Sequence, residues 1–422
     1  MKYTKYTAIA CSIFVLAACG GGGSPAVPVT QSIVSTKIVP LVLFSTSYEN
    51  KNLISFDQTQ VPTLGKLEIP KVYTDEIDSN ERSVTFGDFF QEGKYSAFVS
   101  SMRATNKYSI ANLPDEPGVA YFLSQDAHGI WRDRTSELLK TKADRATCIS
   151  ASYSITADFN NDSKPDVYIA CSGVDYDLNS FGFSQTVLIN HYSSNQILFL
   201  SQTDNTYKRI EVPFNIYAHQ AAAADINGDR NIDIVTINAV GNSNSAVDRV
   251  SVLLGNGDGT FTQSTSIIPK SSSLSDLNGM WNINLIPIDG RLDLVLSQEL
   301  FTIWVKGNKK GGFDWSDIKK FVMPLSISRG TKYSTPIDVV YDNGYFYFYA
   351  TSEWAAEGVE WAIIKYSTDS VTASVIYTFD NPSTALKPYS AQIKPTSAGN
   401  FIAYTGGCWS QTGACIMNLK YK

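Results

Sequence analysis

The chain has 422 residues, 34 Lys and Arg against 40 Asp and Glu, and a formal net charge of −6. An acidic chain without basic clusters argues against nucleic acid as a partner, and its densest basic run, "KGNKKGG" at 306–312, reads as a solvated hairpin tip. With 12% aromatic and only 18% charged residues, the chain favours buried strands over long solvated helices and is too large for a small disulfide scaffold.

At the N-terminus, Lys2 and Lys5 precede an apolar run from Ala8 to Ala18 that ends in "LAAC" and is followed by "GGGGSP". A basic start, an apolar stretch shorter than the ~20 residues of a membrane span and a small-residue cleavage site together read as a secretory signal. The "LAAC" box resembles that of bacterial lipoproteins. That resemblance implies that residues 1–18 are a removed signal peptide, that Cys19 carries the lipid, and that the protein is anchored to the membrane without spanning it. Gly20, where lipoproteins of the enteric inner membrane tend to carry Asp, points to the outer membrane, on its periplasmic face or at the cell surface. Residues 19–35 then form a flexible Gly/Ser/Pro tether, and residues 36–422 are expected to make one domain.

Within that domain one loop recurs. "TADFNNDSKPDVYIAC" places Asp158, Asn160, Asp162 and Asp166 on a one-three-five-nine spacing and runs straight into a strand pattern. "AADINGDRNIDIVTIN" repeats the spacing with Asp225, Asn227, Asp229 and Asp233. Upstream, "FGDFFQEGKYSAFVSS" keeps Asp88 and Glu92 in register but has Phe90 and Ser96 at two of the oxygen positions. Downstream, "IPIDGRLDLVLSQ" keeps the turn in shortened form, and "VVYDNGYFYFYATS" and "PTSAGNFIAYTGG" keep little more than a turn before a strand.

Each loop and strand is followed by a hairpin pattern such as "NQILFLSQTDNTYKRIEV" or "RVSVLLGNGDGTFTQST". Four short strands in roughly 50–70 residues make the blade of a β-propeller. The predicted fold is therefore an all-β propeller of four-stranded antiparallel blades, with seven blades expected and six or eight as alternatives. Six copies are visible, and "IVPLVLFSTSYENKNLISFDQ" (38–58) with "ACIMNLKYK" (414–422) are expected to supply or complete the seventh.

The chemistry of the crowded carboxylates points to calcium, which takes about six to eight hard oxygens at about 2.3–2.6 Å. Alternate residues of a tight loop can aim carboxylates at one centre, and carboxylates crowded into nine residues repel one another until a divalent cation fills it. The alternative is a set of Asx-turns with no metal. The two loops resemble the FG-GAP/VCBS repeats of integrin α-subunit propellers and of many secreted bacterial proteins, whose motif is close to D-x-[DN]-x-D-G-x-x-D. The resemblance implies two calcium sites. One uses the side chains of Asp158, Asn160, Asp162 and Asp166 with the carbonyl of Lys164. The other uses Asp225, Asn227, Asp229 and Asp233 with the carbonyl of Asn231. Ser163 and Arg230 stand where the family usually has Gly.

Of six cysteines, Cys11 leaves with the signal and Cys19 takes lipid, so Cys148, Cys171, Cys408 and Cys415 remain. An even number in an oxidising compartment suggests two disulfides; three pairings are open, and Cys148 with Cys171 and Cys408 with Cys415 close the shortest loops. No catalytic signature is present. His128 and His191 read as loop residues and His219 as a core or channel residue near the propeller axis. The loops leaving the second strand of each blade are long and polar, and Trp354 and Trp409 within them are candidate ligand contacts. The expected function is a non-enzymatic, lipid-anchored, calcium-binding propeller presenting a face to an envelope protein or an extracellular glycan. The alternatives are a polysaccharide lyase or hydrolase using carboxylates such as Glu353 and Glu357 on that face, and a structural component of an envelope assembly.

Overall fold

The computed structural model describes residues 82–420, apart from 94–95, 102–116, 128–130, 150, 174–193, 239–248, 269–279, 299–300, 309–310, 325–334, 343, 352–358, 370–372, 382–391, 398–399 and 406–414. Strand follows strand in sheets whose neighbours are also neighbours in sequence. The first blade holds β1 (Arg82–Gly87), β2 (Ser96–Ser101), β3 (Ala120–Gln125) and β4 (Trp131–Asp133). The second holds β5 (Ala151–Ala157), β6 (Asp166–Cys171), β7 (Ser194–Ser201) and β8 (Tyr207–Ile216), and the third β9 (Ala218–Ala224), β10 (Asp233–Asn238), β11 (Val250–Gly255) and β12 (Phe261–Ser264). The fourth holds β13 (Asn282–Ile288), β14 (Arg291–Ser297), β15 (Phe301–Gly307) and β16 (Phe313–Val322). The fifth holds β17 (Thr335–Asp342), β18 (Tyr345–Thr351), β19 (Val359–Ser367) and β20 (Ala373–Asn381). A last sheet has three strands, β21 (Gln392–Ser397), β22 (Asn400–Thr405) and β23 (Cys415–Lys420).

All pairings within the sheets are antiparallel, as short hairpin links require. The first strands of successive sheets pack against each other, β1 on β5, β5 on β9, β9 on β13, β13 on β17 and β17 on β21, so they line the inside of a propeller. Small residues let them approach: β9 is "AHQAAAA". Their polar side chains are buried together, with Thr85 and Thr156 hydroxyls 2.8 Å apart and the Ile283 amide donating to Gln220 Oε1 at 2.7 Å.

The expectation of seven blades is corrected. Among the described residues there are five four-stranded blades and one three-stranded sheet. The C-terminal segment does not open a new blade, because β23 pairs with β22 in the same sheet as β21. Residues 38–58, the other part of the expected seventh blade, lie outside the described residues.

The second and third blades bury both faces, which explains why β6 and β10 are buried at every position. One face of the second blade packs on the first through Val167, Ile169, Ile197 and Phe199 against Phe89, Phe98 and Phe122. Its other face packs on the third through Tyr168 and Leu198 against Ile234 and Leu253. Phe122 meets Phe98 and Phe89 edge-on at centroid distances of 5.1 and 5.2 Å, contacts that add about 0.5–1.5 kcal/mol each to simple burial. The expected Cys148–Cys171 disulfide is present and ties the link between the first two blades to the end of β6. Cys19 and Cys408 lie outside the described residues, and Cys415 opens β23. No helix among the described residues is long and apolar enough to cross a membrane.

Candidate metal centres

The two complete carboxylate loops join β5 to β6 and β9 to β10, so both lie where the inner strand of a blade turns into the second. Their backbones follow one path. Asn161 and Gly228 at the fourth position and Ser163 and Arg230 at the sixth all have positive φ, 60°, 83°, 69° and 77°. The incomplete loop of the first blade does the same with Gln91 at 56° and Gly93 at 71°. Gly93 is the residue the turn prefers; Ser163 and Arg230 hold the same conformation against the steric cost of their Cβ atoms.

The first carboxylate of each loop caps backbone amides inside it. Asp158 accepts from the amides of Asp162 and Ser163 at 3.0 and 2.9 Å. Asp225 accepts from Gly228, Asp229 and Arg230 at 2.7, 3.1 and 2.9 Å, and Asp88 from Glu92 and Gly93 at 2.8 Å each. The middle residues follow suit. Asn160 Oδ1 accepts from the Asp162 amide at 3.2 Å and Asp162 from the Lys164 amide at 2.9 Å, while Asn227 accepts from Asp229 and Asp229 from Asn231, at 2.9 and 2.8 Å. The Lys164 ammonium points away from the carboxylates, onto the Gln202 carbonyl and Asn205 Oδ1 at 2.8 and 2.9 Å.

The ninth-position carboxylates are fully buried and fasten three segments together. Asp166 accepts from the Phe159 amide in the loop and from the Ser201 amide at the end of β7, each at 2.7 Å. Asp233 accepts from Ile226 in the loop and from Gly255 at the end of β11, each at 2.8 Å. Burial pushes Asp166 up to about 7, with the charge of Asp162 adding to the shift, and pushes Asp233 up to about 6, with Asp229 adding. In each loop the middle carboxylate thus adds to what burial makes the ninth-position one cost to ionise.

Two residues that the motif had passed over stand at the same place: Ser96 keeps the contact to the loop and Asp293 the contact to the end of the third strand. Ser96, at the ninth position of the first blade, accepts the Phe89 amide at 3.0 Å and donates to the Gly87 carbonyl at 2.7 Å. In the fourth blade the loop has shrunk to the two-residue turn Asp289-Gly290, whose φ values of 49° and 78° are both positive. There Asp293, fully buried, accepts from the Gly307 amide at 2.9 Å just as Asp166 and Asp233 accept from Ser201 and Gly255. Its other donors are Trp304 Nε1 at 2.7 Å and the Arg291 guanidinium at 2.8 and 3.2 Å. The recurrent feature is a buried acceptor at the start of the second strand, with or without the loop.

The loops are also wired to the next blade. The Phe159 carbonyl accepts from Gly259 at 3.1 Å and the Ile226 carbonyl from Gly312 at 3.0 Å, both from the turn between the third and fourth strands of the following blade. Glycine suits these turns: Gly259, Gly311 and Gly312 all have positive φ, and a Cβ on Gly311 would come within 2.9 Å of the Asn227 carbonyl. Gly311 and Gly312, at the end of the run expected to be a solvated tip, therefore pack on the third-blade loop. Asn161 Nδ2 donates to Asn231 Oδ1 at 2.9 Å and joins the two loops directly.

As a donor set the loops suit calcium in kind, since their side-chain donors are oxygens and neither contains sulfur or imidazole. In placement, no three His, Cys, Asp or Glu side chains among the described residues form a group that could hold a metal ion. Several carboxylate oxygens are turned onto backbone amides instead.

His219 is buried between Tyr217 and Trp281, each ring centroid 4.7 Å away, as expected of a core residue near the axis. His128, His191, Glu353, Glu357, Trp354 and Trp409 lie outside the described residues.

No family model matches the chain, and no curated protein matches it. Among solved structures it is similar to a protein of unknown function from Dyadobacter fermentans, with a TM-score of 0.46 and 10% identity, over 81% of this chain and 94% of that one. It is similar to a DUF4623 family protein from Bacteroides eggerthii, with a TM-score of 0.43 and 10% identity, over 89% and 78%. A third likeness is to an exo-β-1,3-galactanase from Clostridium thermocellum, with a TM-score of 0.35 and 12% identity, over 60% and 55%. None of these likenesses bears on what this chain binds or converts.

Proposed function

We propose that this chain is a calcium-braced propeller, lipid-anchored through Cys19 in the bacterial outer membrane, that presents a protein- or glycan-binding face and is not an enzyme. The observation that carries the calcium reading is the pairing of a buried carboxylate with a like-charged neighbour in each complete loop, Asp166 with Asp162 and Asp233 with Asp229. A divalent cation held by Asp158, Asn160, Asp162, Asp166 and the Lys164 carbonyl, and by Asp225, Asn227, Asp229, Asp233 and the Asn231 carbonyl, offsets that repulsion. The ion supplies rigidity at one end of two blades. The anchor rests on the "LAAC" box and the Gly/Ser/Pro tether after it.

The test is the melting temperature of the 36–422 fragment with calcium and with chelator, repeated for Asp162→Ala combined with Asp229→Ala. Stabilisation should grow with free calcium as RT ln(1 + [L]/Kd), about 2.7 kcal/mol at a hundred times Kd, and the double variant should lose that response. A melt indifferent to calcium in the unsubstituted fragment sinks the metal reading and leaves the loops as Asx-turns.

A further inference from the structure

The tripeptide Asn-Gly-Asp occurs twice in the sequence, at 227–229 in the complete loop of the third blade and at 256–258 in the turn between β11 and β12. Asparagine before glycine is open to a self-modification in which the glycine amide nitrogen attacks the side-chain Cγ and expels ammonia. Glycine has no Cβ to obstruct that approach, and nucleophile and target already belong to one chain. As sequence the two copies are the same, but the fold holds them differently.

In the loop, each reacting group already has a partner suited to its part. The Gly228 N–H, which carries the nucleophile, donates to Asp225 Oδ1 at 2.7 Å, so a carboxylate stands where the proton must go. Asn227 Oδ1, on which negative charge collects as the nitrogen adds, accepts from the Asp229 amide at 2.9 Å. Asn227 Nδ2, the leaving nitrogen, donates to Asp229 Oδ2 at 2.9 Å. The bond from the Asp229 amide to Asn227 Oδ1 closes a ring that contains the Gly228 nitrogen, so Cγ cannot swing away from its attacker while that bond holds. Asn227 is half-buried and Gly228 exposed, which leaves the site open to water.

The second copy lacks this arrangement. Asn256 Nδ2 is turned across the hairpin onto Thr260 Oγ1 at 2.9 Å, and Asp258 Oδ1 is taken by the Thr260 amide and hydroxyl at 2.9 and 2.5 Å. Gly257 lies against the Asn161–Asn231 pair, where a Cβ would come within 2.4 Å of Asn231 Oδ1, and this contact fixes the turn.

We propose that Asn227 is a self-modification site, at which the folded third-blade loop promotes loss of ammonia while the identical tripeptide at 256–258 is protected. The Gly228 N–H proton passes to Asp225, the bond from Gly228 N to Asn227 Cγ forms, and the Cγ–Nδ2 bond breaks. The nitrogen leaves as ammonia with a proton relayed through water, and a cyclic imide remains. Water then opens the imide at Cγ, giving aspartate at position 227, or at the backbone carbonyl, giving isoaspartate with the main chain rerouted through the side chain. The first product adds a carboxylate to the loop; the second lengthens its backbone by one carbon. Water is the only co-reactant.

The test follows both tripeptides by peptide mass spectrometry and isoaspartate-specific methylation, in the full chain at neutral pH, folded and in urea. Chelator is present throughout, so the result does not depend on whether the loop takes calcium. In urea the two copies should convert at similar rates. In the folded chain Asn227 should convert at least about tenfold faster than Asn256, and no more slowly than it does in urea. Asp225→Asn, checked for folding by its melt, should slow conversion at Asn227 about tenfold or more. Equal rates at the two copies in the folded chain overturn the proposal, as does slower conversion of Asn227 folded than unfolded. An unchanged rate at Asn227 in folded Asp225→Asn also overturns it, because the carboxylate then takes no part. The comparison of the two copies needs no variant, so it decides the proposal even where Asp225→Asn fails to fold.

Discussion

Asp293 isolates the buried acceptor from any question of metal, since its blade has no carboxylate loop. It has no solvent exposure, and its two oxygens receive Gly307 N–H, Trp304 Nε1–H and two contacts from Arg291. Asp293→Asn keeps the shape but replaces one acceptor oxygen with an NH2 group that faces existing donors. Whichever way the amide turns, at least one buried N–H loses its acceptor, at about 1–3 kcal/mol. Arg291, three-quarters buried, also loses its counter-charge. Breaking a buried pair from one side costs about 3–5 kcal/mol, a large part of the roughly 5–15 kcal/mol that holds a typical domain together. Urea unfolding followed by Trp fluorescence measures the change. Combining Asp293→Asn with Arg291→Gln should recover part of the loss, because the cycle removes the stranded charge. A loss below about 1 kcal/mol would show that the three segments are not held by this carboxylate, and would weaken the same reading of Asp166 and Asp233.

Other outcomes follow from the loops. Ser163→Gly and Arg230→Gly relieve a left-handed backbone and should each stabilise the protein by about 0.5–1 kcal/mol after glycine's extra unfolded-state entropy; a fall in the urea midpoint means that the side chain makes contacts worth more than the strain. The pH dependence has a definite sign. Asp166 at about 7 and Asp233 at about 6 lie above the unfolded carboxylate value of about 3.9, so the folded chain binds more protons in between. Stability in chelator should therefore fall as pH rises from about 4 to 7. Asp166→Asn with Asp233→Asn should flatten that slope, and a slope of the opposite sign would show that the amide hydrogen bonds outweigh burial.

Much of the architecture is written locally in the sequence. The one-three-five-nine spacing gave two loops of the same backbone path, and the Gly position predicted for Ser163 and Arg230 proved to be left-handed in both. Turn-and-strand patterns located the hairpins because a reversal of chain and an apolar run are short-range properties, and the nearness of Cys148 and Cys171 in sequence favoured the bridge that is present. Blade number was not local. Whether a terminal strand opens a blade or completes an existing sheet depends on which edge it reaches, and β23 joined β22.

The role of the ninth position was also settled only in three dimensions. Asp166, Asp233 and Asp293 share one task, but their third-strand partners Ser201, Gly255 and Gly307 lie 35, 22 and 14 residues away. With the distance set by whatever connects the second strand to the third, no fixed spacing marks the pair, and Ser96 and Asp293 looked like remnants of a decayed motif. The sequence by itself determined the residue types and the turns. The tertiary structure decided which buried amides those side chains answer, because a hydrogen bond is fixed by position in space and a loop of any length can deliver its donor.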